Sequence, residues 1–268
     1  MSFSNGSHVD HDFSAQESAP LTLPTSQTGT LIRFSQPIPY AEAWILQKQL
    51  QAERMAETRG DAFLLLEHLP VYTLGRTTQP AHWDCGEEFL RRTGASFQSV
   101  DRGGSITYHG PGQLVGYPIL KLSHYCSGPK QYVRKLEEVL IQTLLRWGIE
   151  GYRLERRPGV WVCRNHTDAK IAAIGVRIEH GVTIHGFALN VDLDLAPFSY
   201  IMPCGMAQCP ITSMAEVRQS AVSSTVVAQQ VGQEFARIFK IQWTDLPSDI
   251  MREKQADYHP PSMFGLHT

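Results

Sequence analysis

No apolar run in this chain approaches the ~20 residues that a membrane-spanning helix requires, so no membrane association is expected. A basic excess is missing too. The 24 lysines and arginines face 26 aspartates and glutamates, a balance that speaks against a nucleic-acid partner held by charge. The first 29 residues contain neither Lys nor Arg and no apolar core of signal-peptide length. That stretch, rich in Ser, Thr and Pro, reads as a disordered tail, and a cytoplasmic protein is expected. The five cysteines (Cys85, Cys126, Cys163, Cys204 and Cys209) are odd in number and irregularly spaced. Without an export signal they read as reduced thiols rather than a disulfide framework. An HExxH string is absent, and neither Cys163 with His166 nor Cys204 with Cys209 is matched by a second pair at zinc-finger spacing. No metal and no cofactor are expected.

What is present divides the 268 residues into a tail over 1–29, a folded domain over 30–244 and a second tail over 245–268. A strand is expected near Thr30, followed by a helix carrying Ala43, Leu46 and Leu50 on one face and ending at Gly60. AFLLLEH is an apolar run of strand length. Val133, Leu136, Leu140, Leu144 and Trp147 recur at gaps of three and four, the stripe of a core-facing helix stopped by Gly148. Lys170 to Asp192 alternates as a β-hairpin about His180-Gly181, with Thr183, His185, Phe187, Leu189 and Val191 on one face of its second arm. A last helix carries Val227, Val231, Phe235 and Ile238. Without a regular βαβ rhythm, these elements predict an α+β fold with a mixed, largely antiparallel sheet flanked by helices.

The stretch DRGGSITYHGPGQLVGYP, residues 101–118, holds five glycines. It is not a phosphate loop, because Gln113 rather than Lys follows Gly112, and it is not a dinucleotide fingerprint, because a strand follows it. Either it is a conformationally demanding connector, or it lets the backbone approach a ligand, with Ile106 and Tyr108 lining an apolar slot beside His109. A neutral, apolar ligand with one polar reacting end suits such walls. Cys204, in IMPCGMAQC, is a packing residue or a nucleophile; as a nucleophile it needs a base or cation to form the thiolate. Lys170, at the mouth of the apolar strand KIAAIG, is either a solvated strand-end lysine or that partner.

Three segments in order, RGGSITYHGPGQLVGYPI, KIAAIGVRI with HGFALNV, and PCGM followed by ITS, resemble the lipoyl(octanoyl) transferase family over roughly Leu31 to Trp243. The resemblance implies a domain like the catalytic domains of lipoate-protein and biotin-protein ligases. It implies transfer of an octanoyl or lipoyl group from acyl carrier protein to a lysine of lipoyl domains, those of 2-oxoacid dehydrogenase complexes and of glycine cleavage H protein. On the matching positions, Cys204 would be the acyl-thioester nucleophile and Lys170 the residue that activates it. Arg102, Gly103, Gly104, Ser105, Ile106, Thr107, Tyr108 and His109 would line the substrate, as would Ala173, Ile174, Gly175, Gly186, Phe187 and Ala188. A monomer is expected, since two protein partners must dock in succession. The rival readings are an ATP-dependent lipoate- or biotin-protein ligase of the same fold, which needs no nucleophilic cysteine, and a non-catalytic module that binds lipoyl domains or carrier proteins.

Overall fold

The run DAFLLL is buried at all six positions, and its period-two alternation shows why both faces of the main sheet carry helices. Phe63 and Leu65 belong to one apolar core and Ala62, Leu64 and Leu66 to another. The computed structural model describes residues 27–83, 86–203 and 209–247, the side chains of Glu87, Leu90 and Pro247 excepted. In chain order these form β1 (Gln27–Arg33), α1 (Tyr40–Met55), β2 (Asp61–Leu66), β3 (Val71–Leu74), α2 (Gly86–Arg92), β4 (Ser96–Ser99), β5 (Thr107–His109) and β6 (Gln113–Ile119). There follow α3 (Pro129–Leu145), β7 (Tyr152–Leu154), β8 (Arg157–Arg164), β9 (Thr167–Glu179), β10 (Val182–Asn190), α4 (Met214–Arg218), α5 (Ser224–Phe239) and β11 (Ile241–Pro247).

Among the described residues, eight strands join in the order β11-β1-β2-β6-β10-β9-β8-β7, and β4-β3-β5 form a smaller sheet. β1 runs parallel to β2 and β11, while the pairs from β2 to β7 are antiparallel. This is the mixed, largely antiparallel sheet expected from the sequence. Leu136, Leu140 and Leu144 of α3 and Val227, Val231 and Phe235 of α5 cover the Phe63 face; Ala43, Leu46 and Leu50 of α1 cover the other.

Three expectations need correction. The first strand begins at Gln27, not Thr30, and residues 245–247 belong to the sheet, because β1 and β11 pair in register from Gln27↔Ile241 to Arg33↔Pro247. That partnership spans the whole domain, so no local pattern announces it. The residues outside it, 1–26 and 248–268, lie beyond the described ones. The first helix stops at Met55 rather than Gly60, as the backbone turns left-handed at Glu57 (φ 58). His185 leaves the face it was expected to share with Phe187 and Leu189. Its backbone takes φ 60, and its ring meets Asp101 while Phe187 and Leu189 stay in the α3–α5 core.

At the start of β2, Asp61 fastens three segments together. It accepts from Arg54 Nε at 2.6 Å, from the Lys121 backbone N–H at 3.0 Å and from the Tyr125 hydroxyl. Both Asp61 and Arg54 are buried. Asp61→Ala would leave the guanidinium charge without its partner, so a loss of about 3–5 kcal/mol is expected. Urea denaturation at neutral pH checks this; a loss below about 1 kcal/mol would contradict it.

Candidate active site

The β9–β10 hairpin forms one wall of a cavity of ≈ 370 Å³, within the size range of small-molecule sites. Its turn residues His180 and Gly181 take φ 47 and 77, the left-handed pair that suits a two-residue hairpin loop. The register that follows sets Gly175 opposite Gly186 and Ala173 opposite Ala188. Four residues with little or no side chain therefore lie side by side. Gly175 sits so close under the glycine-rich segment that a Cβ there would come 2.9 Å from the Gly103 carbonyl oxygen. Ile174 and Phe187 also border the cavity while packing into the α3–α5 core.

Lys170 reaches the same wall through an irregularity in pairing. Trp161 pairs with Lys170 but Val160 with Ala172, so β9 carries one extra residue there. Without it, strict alternation would put Lys170 and Ala173 on opposite faces. The lysine is 4% exposed and lines the cavity. Its Nζ donates to the Pro158 carbonyl at 3.2 Å and lies 4.8 Å from the centroid of the Trp161 ring, a geometry that favours a cation. This is not the solvated strand-end lysine of the bland alternative.

The glycine-rich segment forms the opposing wall, where Arg102 through Thr107 and His109 border the cavity. Tyr108 does not: alternation along β5 turns its ring away, onto Tyr72 (5.2 Å) and Phe198 (5.9 Å). The glycines divide likewise. Gly103 and Gly104 border the cavity, whereas Gly112, at φ 87, makes room for the Asp192 carbonyl, which a Cβ would meet at 2.2 Å. The Arg102 guanidinium is engaged inside the loop, donating to the Thr73 hydroxyl and carbonyl and to the Gly103 carbonyl. It braces the wall.

A buried hydrogen-bond relay links the two walls. The Thr73 hydroxyl accepts from Arg102 and donates to His109 Nε2 at 3.3 Å. His109 Nδ1 donates to Gln113 Oε1 at 2.7 Å, and Gln113 Nε2 donates to Asn190 Oδ1 at 2.9 Å. Asn190 Nδ2 donates to the Thr212 carbonyl, and the Thr212 N–H donates to the Lys170 carbonyl. Every donor meets an acceptor only if His109 is neutral with its proton on Nδ1. Burial, aided by His68 and Arg102, drives its pKa well below the ordinary value. His68 behind it is pushed down to about 4 by burial; its Nδ1 donates to the Ile38 carbonyl, and its Nε2 accepts from the Tyr117 hydroxyl.

Cys204 lies outside the described residues, but its flanks are fastened to the site. The Met202 N–H donates to the carbonyl of His82, whose ring accepts from the cavity-lining Ser105. Beyond the gap, Lys170 N–H donates to the Pro210 carbonyl at 2.8 Å. Sequence reasoning did not single out Thr73, Gln113 and Asn190. The last two stood inside the quoted strings, where a buried amide at the end of an apolar strand was the available signal. Tyr117 and His185 also stood inside those strings without being given a role there, Tyr40 and His82 carried no signal, and Val133, expected on a core stripe, borders the cavity instead.

Comparison with known proteins gives a consistent result. The lipoyl protein ligase A/B catalytic domain family matches residues 39–236. The chain is 47% identical over 205 residues to an octanoyltransferase of Solibacter usitatus, covering 76% of this chain and 90% of that one. It is 45% identical over 206 residues to an octanoyltransferase of Chloroflexus aurantiacus, covering 76% and 92%. In fold it is similar to the bi-partite lipoate protein ligase of Thermoplasma acidophilum (TM-score 0.63, 14% identity, 86% of this chain and 93% of that one). It is also similar to a lipoate-protein ligase A bound with ATP (TM-score 0.61, 16% identity, 88% and 97%).

The buried neutral histidines make stability depend on pH with a definite sign. Unfolded, His68 binds a proton below about pH 6.5; folded, it does so only near pH 4. Its contribution is therefore complete above pH 6.5 and is lost as pH falls towards 4, by about 3 kcal/mol in all, and His109 acts in the same direction. Unfolding free energies at pH 7.5 and 4.5 should show at least this decline; equal values at the two pH values would contradict it.

Proposed function

We infer the reaction from a fixed premise: the chain belongs to the octanoyltransferases of the lipoyl protein ligase A/B catalytic domain family and is an acyltransferase. The donor is an octanoyl or lipoyl thioester on acyl carrier protein, and the acceptor is a lysine of a lipoyl domain, including those of 2-oxoacid dehydrogenase complexes and glycine cleavage H protein. The observation that carries the reading is Lys170. Its side-chain nitrogen is buried at one end of a cavity walled by small residues, and its backbone is bonded to the segment that follows Cys204.

The Lys170 amine takes the proton of the Cys204 thiol, and the Trp161 face and Pro158 carbonyl hold the resulting ammonium beside the thiolate. The thiolate attacks the thioester carbonyl. A new carbon–sulfur bond forms, the bond to the carrier breaks, and the departing carrier thiolate takes the proton from Lys170. Exchange of one thioester for another is nearly isoenergetic, so the step needs no nucleotide. In the second half the acceptor amine attacks the acyl-cysteine, and Lys170 relays the amine proton to the leaving Cys204 sulfur. The amide formed is the more stable product, which drives transfer to completion. The chain of methylenes lies along Ala173, Gly175, Gly186 and Ala188, each buried CH₂ contributing roughly 0.8 kcal/mol. Among the described residues no helix is long and apolar enough to cross a membrane.

Intact-protein mass spectrometry after mixing with octanoyl-acyl carrier protein tests the scheme. One octanoyl increment is expected on the wild type, none on Cys204→Ala, and discharge when a lipoyl domain is added. Lys170→Ala should lower the rate of transfer by about 10²–10⁴. A wild type that never gains the increment, while amide still forms on the lipoyl domain, would sink the acyl-cysteine.

A further inference from the structure

The far end of the cavity is chemically unlike its middle. His185 lines it and is 1% exposed; Tyr40 lines it and is 3% exposed. The His185 Nε2–H donates to Asp101 Oδ1 at 2.7 Å. Burial pushes Asp101 upward, but the hydrogen bonds from His185 and Lys48 outweigh it and keep the group a carboxylate. Nε2 therefore keeps its proton, and burial keeps the ring neutral against the pull of Asp101. Nδ1 is left as a bare acceptor, and it has no hydrogen-bond partner among the described residues. Tyr40 Oη lies beside the Tyr117 hydroxyl, which donates to His68 Nε2. Buried polar atoms left without partners are rare and call for a ligand or an ordered water.

The spacing matches the chain to be held. Val176, opposite His185, lies three residues beyond Ala173, about 10 Å along the strand. Seven carbon–carbon bonds of about 1.5 Å in zigzag reach about 9 Å. Resting on the acyl-transfer reading above, we propose that His185 Nδ1 is a polar stop that sets the acyl chain length. An eight-carbon chain ends short of it and leaves a water on Nδ1. A longer alkyl chain displaces that water and leaves the nitrogen dry, whereas a chain of the same length ending in a hydroxyl donates to Nδ1 and is accepted. Asp101 is a positioning residue that fixes the ring and its tautomer.

The test is a competition between nonanoyl- and 8-hydroxyoctanoyl-acyl carrier protein, which differ only in a terminal CH₃ or OH. Each is supplied at equal concentration, with octanoyl-acyl carrier protein run alongside. The readout is the ratio of the two amides on the acceptor lysine, by peptide mass spectrometry. Wild type should favour the hydroxyl chain about tenfold, the ratio set by one satisfied against one unsatisfied buried acceptor. His185→Phe should reverse the preference. A purely structural histidine would slow both chains equally and leave the ratio unmoved. If wild type transfers octanoyl but prefers nonanoyl or shows no preference, the polar stop is wrong and the acyl-transfer reading stands. If octanoyl itself is never transferred, the reading fails and the stop fails with it. The wild-type ratio decides the matter even if the variant does not fold.

Discussion

Everything at this site depends on burying a line of polar side chains without leaving its members unpaired. From Arg102 through Thr73, His109, Gln113 and Asn190 to the Thr212 and Lys170 backbone, each donor meets one acceptor. In a low-dielectric interior such a chain is rigid, because breaking one link strands a donor or an acceptor. Rigidity is what the chemistry needs. The glycine-rich wall and the lysine wall belong to distant parts of the sequence, and the relay holds them at a fixed separation with a cavity between.

The neutral form of His109 follows from that arrangement. A protonated imidazole would present a second donor where the Thr73 hydroxyl already donates, beside the fixed charge of Arg102. Its two ring hydrogen bonds order the wall. In the proposed reaction proton transfer falls to Lys170, which a one-residue irregularity in β9 turns onto the cavity face. The same device, a local departure from regular strand geometry, brings His185 to the other end at φ 60. Between the two, the Gly175–Gly186 and Ala173–Ala188 pairs stay regular and nearly bare. Regular pairing makes the floor, and two departures from it supply the polar ends.

That pattern suits an acyl chain with one reacting end. Small residues exclude water without filling the volume, so methylenes find contact along the floor. On the proposed reading, specificity for length rests on what closes the cavity rather than on its walls, since one methylene more or less against an apolar wall discriminates only about tenfold to 200-fold.

Much of this was legible in the sequence because it is local. The α3 stripe, the hairpin with its His180-Gly181 turn, and the doubly buried run of β2 are written in periodicity and turn chemistry, and the glycine-rich string with Lys170 and Cys204 marked the family. Several features were not legible, each because it depends on partners far away in the chain. The sheet's outer strand Ile241–Pro247 exists because β1 is there to pair with it. Tyr108 turned from the cavity because β5 fixes which faces its neighbours take. Three of the five glycines in the string were emptied for Tyr108, Asp192 and Phe187 rather than for a ligand. The sequence by itself determined the family and which elements bear its signature residues. Only the tertiary structure decided which wall each faces, because a single extra residue or one left-handed backbone angle reverses a strand's alternation.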